Sequence, residues 1–204
     1  MRLIEDGLPP FEPPPITSNN CDSEPAFFEE WSEARLGLSM IGRTSISLLS
    51  DTLKIYFKSL EQEFGFKPTQ EDKNKIFKTK GFLNGYKHIL SEGLDTDWSD
   101  CPVDFELLEQ LVLARNISQH SRHITSLNVS YDRHFLEKYP KPFFVEEWEK
   151  DIVHEIEESG RALFAPNIEV TDQDLLKAIE EVETLAKWIV SREAFGYNWR
   201  KRKP

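Results

Sequence analysis

Leu107-Leu108-Glu109-Gln110-Leu111-Val112-Leu113-Ala114-Arg115-Asn116-Ile117-Ser118-Gln119-His120 decides how this chain is read. At about 100° per residue, Leu107, Leu108, Leu111 and Val112 share one helical face, and Arg115, four residues after Leu111, continues that stripe. A charge therefore stands at a core-facing position. With Arg115 set at zero, Gln119 lies at about 40°, Asn116 at about 100° and His120 at about 140°. The helix end thus carries a polar strip beside the apolar one, and Arg115 and His120 face one groove.

The flanking sequence predicts more helix. Between Phe27 and Phe64 there is no proline, and Phe27, Phe28, Trp31, Leu38, Ile41, Leu48, Leu49, Leu53, Tyr56, Phe57 and Leu60 recur near helical spacing. Gly37 and Gly42 are where that helix is expected to bend or split. A second helix is expected over 71–90, weakened by Gly81 and Gly85. Pro102 suits the first turn of the motif helix, with Asp104 and Glu106 at its positive end. Thr171-Asp172-Gln173-Asp174 has the form of a capping box with Asp174 in place of Glu. It opens a final amphipathic helix over 175–195 through Leu176, Ile179, Val182, Leu185, Ala186 and Ile189.

Two segments depart from this pattern. Six of the 12 prolines fall within residues 1–25, which predicts an extended or polyproline II arm. Ile124 to Tyr131 alternates and is β-branched, and Pro140 and Pro142 follow, so a short irregular or β-hairpin insert is expected there. Residues 26–204 then read as one all-α domain, a bundle of four to five helices. The whole chain, with 204 residues and 14 Phe, is enough for one proper core.

The net charge of −11 argues at first against a nucleic-acid partner. Its distribution softens that objection: residues 146–184 hold 13 acids against 3 bases, whereas residues 185–204 hold 6 bases against 1 acid. Lys73, Lys75, Lys78, Lys80 and Lys87 form a local basic patch, and Arg200 to Lys203 a basic tail. Either could meet a phosphate backbone or be plain solvated surface. Two cysteines, no apolar run of membrane-spanning length and no signal-type start after Met1 predict a cytoplasmic protein with no membrane partner. His120, His123 and His134 lack a Cys or carboxylate to complete a metal site, so no metal is expected.

Arg115-Asn116-Ile117-Ser118-Gln119-His120 resembles the Arg-x4-6-His motif of the HEPN superfamily, helical domains that include many ribonucleases. The motif lies on a mid-chain helix behind an apolar stripe, as in that family, and Asn116 matches the polar residue that often follows the arginine. The resemblance covers the motif helix and, loosely, the order of helices around it; the arm and the insert lie outside it. It implies an endoribonuclease that needs neither metal nor cofactor, acting as a homodimer with paired motifs lining one cleft and leaving a 2′,3′-cyclic phosphate and a 5′-hydroxyl. It also implies a toxin or phage-defence setting, with an antitoxin or regulatory protein as a further partner.

The side chains suit that chemistry. An imidazole titrating near neutrality can take the proton of a ribose 2′-hydroxyl or give one to the leaving oxygen, and a guanidinium can hold the scissile phosphate. One histidine does not easily serve as acid and base in one step, so two copies are wanted. Arg115, Asn116 and His120 are the expected catalytic group, and Arg122, His123, Lys73, Lys75 and Lys78 the expected RNA contacts. A second reading uses the same residues differently. Arg115 and His120 would complement the negative end of their helix, worth about 0.3–1 kcal/mol, in a non-catalytic helical dimerisation or protein-interaction module whose acidic 146–184 region binds a partner.

Overall fold

A computed structural model of the protein describes residues 1–13, 26–64, 70–94, 97–119, 129–146, 149 and 165–202. Among these the chain is mostly helical: α1 (Arg2–Glu5), α2 (Phe28–Phe64), α3 (Gln70–Lys80), α4 (Phe82–Leu94), α5 (Phe105–Gln119), α6 (Arg133–Lys138) and α7 (Asp172–Arg202). Four of them, α2, α4, α5 and α7, pack into a bundle in which α5 touches the other three. None of the described helices is long and apolar enough to cross a membrane.

α5 earns its central place from its composition. Leu107, Leu108, Leu111, Val112 and Ala114 are all buried, and Leu113 and Ile117 pack against the same core from its other side. Its entrance is set by Asp104, whose Oδ1 accepts from the Leu107 N–H at 3.0 Å. Pro102 therefore precedes the cap and does not occupy the first turn.

α2 runs unbroken for 37 residues, about 55 Å, through both Gly37 and Gly42. Gly42 serves packing: a Cβ there would stand 2.9 Å from both the Cβ and the carbonyl oxygen of Val170, so only glycine lets the chain before α7 lie against the helix. Ile46, Leu53, Phe57 and Leu60 face the core, each contributing about 1.5–3 kcal/mol by burial. Leu38, Ile41 and Leu48 do not: they point to solvent, contrary to the single stripe read from the sequence.

The helix expected over 71–90 is two helices. Gly81 takes φ 78°, a left-handed turn open to glycine, and its N–H donates to the Phe77 carbonyl at 3.0 Å to close α3 before α4 begins. The turn folds Phe77 back onto Phe82 and Tyr86, and Tyr86 stacks on Phe57 at 4.5 Å between centroids. α7 starts as its cap predicts, with Asp174 N–H donating to Thr171 Oγ1 at 3.1 Å and Thr171 N–H to Asp174 Oδ2 at 3.3 Å. It continues to Arg202 instead of stopping at Phe195, and its buried face is Ala178, Leu185, Trp188 and Ile189, while Leu176 lies outside.

The insert has no hairpin among the described residues. Ser130 makes an isolated antiparallel bridge to the distant Asn167, flanked by Tyr131 N–H to Pro166 O at 3.0 Å and Ile168 N–H to Val129 O at 2.7 Å. Asp132 caps the short α6 by accepting from Phe135 N–H at 2.8 Å. Val129, Tyr131, Phe135, Tyr139, Phe144 and Val145 are buried, so this segment completes the core. Gln110 of α5 anchors it, its Oε1 accepting from Phe143 N–H at 2.7 Å. At the other end the arm is not wholly extended: residues 2–5 are helical, Trp31 Nε1 donates to Glu5 at 3.1 Å, and Phe11 meets Phe27 edge to face at 5.4 Å.

Candidate functional site

Arg115 leaves the apolar stripe of α5 toward α2, where Asp51 receives it. The guanidinium Nη2 lies 3.0 Å from Asp51 Oδ1, and Nη1 donates to Asn116 Oδ1 at 3.2 Å. The side chain is 19% exposed, and its Nε is buried with no hydrogen-bond partner. Ser118 Oγ, one turn further along α5, and Ser50 Oγ, beside Asp51 on α2, are also buried and unpartnered. Three unsatisfied polar atoms on the two helices that carry one ion pair depart from the near-complete satisfaction of native interiors.

A second cation shares the carboxylate. Lys54 Nζ stands 3.7 Å from Asp51 Oδ1 and 5.8 Å from the centre of the Phe82 ring. Burial pushes the Lys54 ammonium below its usual range and the positive field of Arg115 pushes it further, with Asp51 acting against both and Lys58 adding a smaller downward push. Arg115 and Lys54 thus share one carboxylate. The local balance is positive on a protein whose total is −11, the arrangement expected where an anion is to be held.

Of the residues the sequence singles out, Arg115 and Asn116 meet directly. His120, Arg122 and His123 lie outside the described residues. Lys73 is not part of a free basic patch, because it pairs with the buried Glu61 of α2. Lys75 and Lys78 are exposed on α3. His134, one of the metal candidates, is 99% exposed and has only Glu137, 3.6 Å away, as an acidic neighbour among the described residues. Asp51 and Lys54 were missed by reading along α5 alone. Their signal was present in α2, as two charges three residues apart inside an apolar-periodic helix.

A separate polar cluster joins α2 to the chain before α7. Arg35 meets Glu146 at 2.5 Å, Ser39 Oγ donates to Glu169 at 2.9 Å, and Asn167 N–H donates to Glu149 Oε1 at 3.4 Å. Burial raises the Glu149 carboxyl above its ordinary value, the Asn167 N–H opposes this, Glu146 and Glu169 add to it, and Arg35 offsets them in part. This cluster ties elements together.

Comparison of the chain with protein-family models, with curated proteins and with solved structures finds no match.

Proposed function

We propose that the protein is an endoribonuclease of HEPN type, cutting RNA by attack of the ribose 2′-oxygen without a metal ion. In this reading the 2′-hydroxyl of the nucleotide before the cut gives its proton to the imidazole of one His120. Its oxygen then bonds to phosphorus while the bond to the 5′-oxygen breaks. The imidazolium of a second His120, from the other copy in a homodimer, protonates the leaving oxygen. Arg115 and Lys54 hold the phosphate and offset its growing charge, and Asn116 fixes the guanidinium plane. Arg122, His123, Lys75 and Lys78 guide the rest of the strand, and an antitoxin or other regulatory protein restrains the enzyme.

One observation carries the reading. Arg115 sits in the seam between two helices with an unpartnered Nε, and two cations share one carboxylate. A cation required only by the helix dipole would stand on the solvent face, where it loses no hydration. The test is incubation of the purified protein with end-labelled RNA in EDTA. Wild type is expected to release fragments and His120→Ala to release none; intact RNA with wild type across varied substrates would overturn the reading.

The alternative, a non-catalytic helical interaction module, takes support from the exposed aliphatic residues of α2. It predicts binding without cleavage.

A further inference from the structure

The outer face of α2 carries Leu38, Ile41, Leu48 and Ile55, each between 54% and 65% exposed. They alternate with Ser45, Thr52 and Ser59 in steps of three and four, so Leu38, Ser45, Thr52 and Ser59 occupy one position of a heptad and Ile41, Leu48 and Ile55 the other. The hydroxyls are turned inward: Ser45 donates to Ile41 O at 2.9 Å, Thr52 to Leu48 O at 2.8 Å and Ser59 to Ile55 O at 3.1 Å. Their hydrogen bonds are made within α2, so covering them leaves no polar group unpaired. The outcome is a straight apolar seam on a helix whose opposite face is already buried in the bundle.

We infer that this seam pairs with the same seam of a second copy, the two α2 helices running antiparallel. The alternation of size decides the direction. A parallel pair sets like against like, stacking Ser and Thr layers as gaps between Ile and Leu layers. An antiparallel pair sets each position against the other kind, so Ile41 enters the space over Thr52 of the second copy and Leu48 that over its Ser45, while Leu38 meets its Ile55 at the ends of the seam. The period of 3.5 residues matches the shallow crossing that two such helices adopt.

Area points the same way. The four aliphatic side chains expose on the order of 450 Å² in one stripe, the size of the largest patch on a typical monomer, which is often functional. With the seam's Ser45, Thr52 and Ser59 and the flanking Met40 and Thr44, pairing covers on the order of 1,200 Å² in total, enough for a specific dimer. Asp51 lies between Leu48 and Ile55 at the edge of the seam. Both Asp51–Arg115 pairs therefore come to one side of the dimer, about 13 Å apart along it.

Sedimentation velocity on the full chain tests this without RNA; the ribonuclease proposal needs two copies but not this seam, so a dimer indifferent to a change in the seam overturns the pairing and leaves that proposal standing. Wild type is expected to be a dimer at about 20 µM, and Leu48→Glu to weaken association at least about 30-fold. Because Leu48 is exposed in the monomer, the variant should keep its circular dichroism, and its Tm should fall only by the lost association. A monomeric wild type, or a dimer indifferent to Leu48→Glu, overturns the inference. Orientation is read by mixing Leu38→Cys with Ile55→Cys chains in a Cys21→Ser, Cys101→Ser background. A disulfide between the two kinds of chain is expected, and disulfides only between identical chains would overturn the antiparallel pairing.

Discussion

Replacing Asp51 by Asn removes the single negative charge from a site that holds Arg115 at 3.0 Å and Lys54 at 3.7 Å. At an effective dielectric constant of about 20, the Arg115 pair alone has a gross attraction of about 5 kcal/mol. Asp51 is 41% exposed, so most of that is screened, and each pair is better placed at about 0.5–1 kcal/mol. The variant should therefore unfold with a deficit of about 1–2 kcal/mol in urea at low salt. The deficit should shrink as salt screens the repulsion left among Arg115, Lys54 and Lys58. Loss of Asp51 also removes an upward influence on Lys54, whose folded-state pKa already lies below the unfolded value. The variant's folded Lys54 pKa then lies below the wild-type one, and between those two folded values its native state has lost a proton that native wild type keeps, so the deficit should narrow further as pH rises through that window. Binding should move the opposite way. An added net positive charge steepens the salt dependence of single-stranded RNA affinity by about 0.7 in log–log slope and tightens binding about threefold at moderate salt. Fluorescence anisotropy with a labelled RNA on the Asp51→Asn, His120→Ala double variant reads this without cleavage. Lower stability with unchanged affinity and slope would refute the assignment of the Arg115 cluster to phosphate.

Gly42→Ala is expected to destabilise by about 2 kcal/mol although alanine favours helix, because the added Cβ meets Val170 backbone at 2.9 Å; a higher Tm would refute the close approach. Glu149→Gln should stabilise the fold at neutral pH, since it removes a charge that burial disfavours and that Glu146 and Glu169 disfavour further. Glu149's folded pKa is raised, so the native state binds the extra proton, and wild-type stability should gain from this group as pH falls toward the unfolded carboxylate value. Urea titrations of both proteins across that range should converge at the acid end; a constant gap would contradict the assignment.

Much of the bundle was legible in residue order. Leu107, Leu108, Leu111 and Val112 are buried as their spacing demands, and Thr171 with Asp174 caps α7 as written. What failed did so for tertiary reasons. Leu38, Ile41 and Leu48 merged with the core face because α2 is apolar on two sides, and spacing alone does not tell which side has a neighbour. Gly42 looked like a break because the chain at Val170 that needs its bare Cα lies far off in sequence. Gly81, by contrast, does break its helix, because φ 78° there lets Phe77 fold back onto Phe82 and Tyr86. In the candidate site, Arg115 was found as an interruption of a pattern, whereas Asp51 and Lys54 belong to another helix and come together with it only on folding. Gln110 shows the same limit: a buried amide in α5 is explained only by Phe143, 33 residues away.

End-group analysis of RNA treated in EDTA bears most directly on the central claim, that Arg115 and His120 hold and split a phosphodiester. Wild type should leave 2′,3′-cyclic phosphate and 5′-hydroxyl ends, fail at a nucleotide carrying a 2′-deoxy sugar, and lose about 100-fold or more in rate on Arg115→Ala or His120→Ala with the fold intact. Undamaged RNA, ends bearing a 3′-hydroxyl, or equal cleavage by those variants would contradict it.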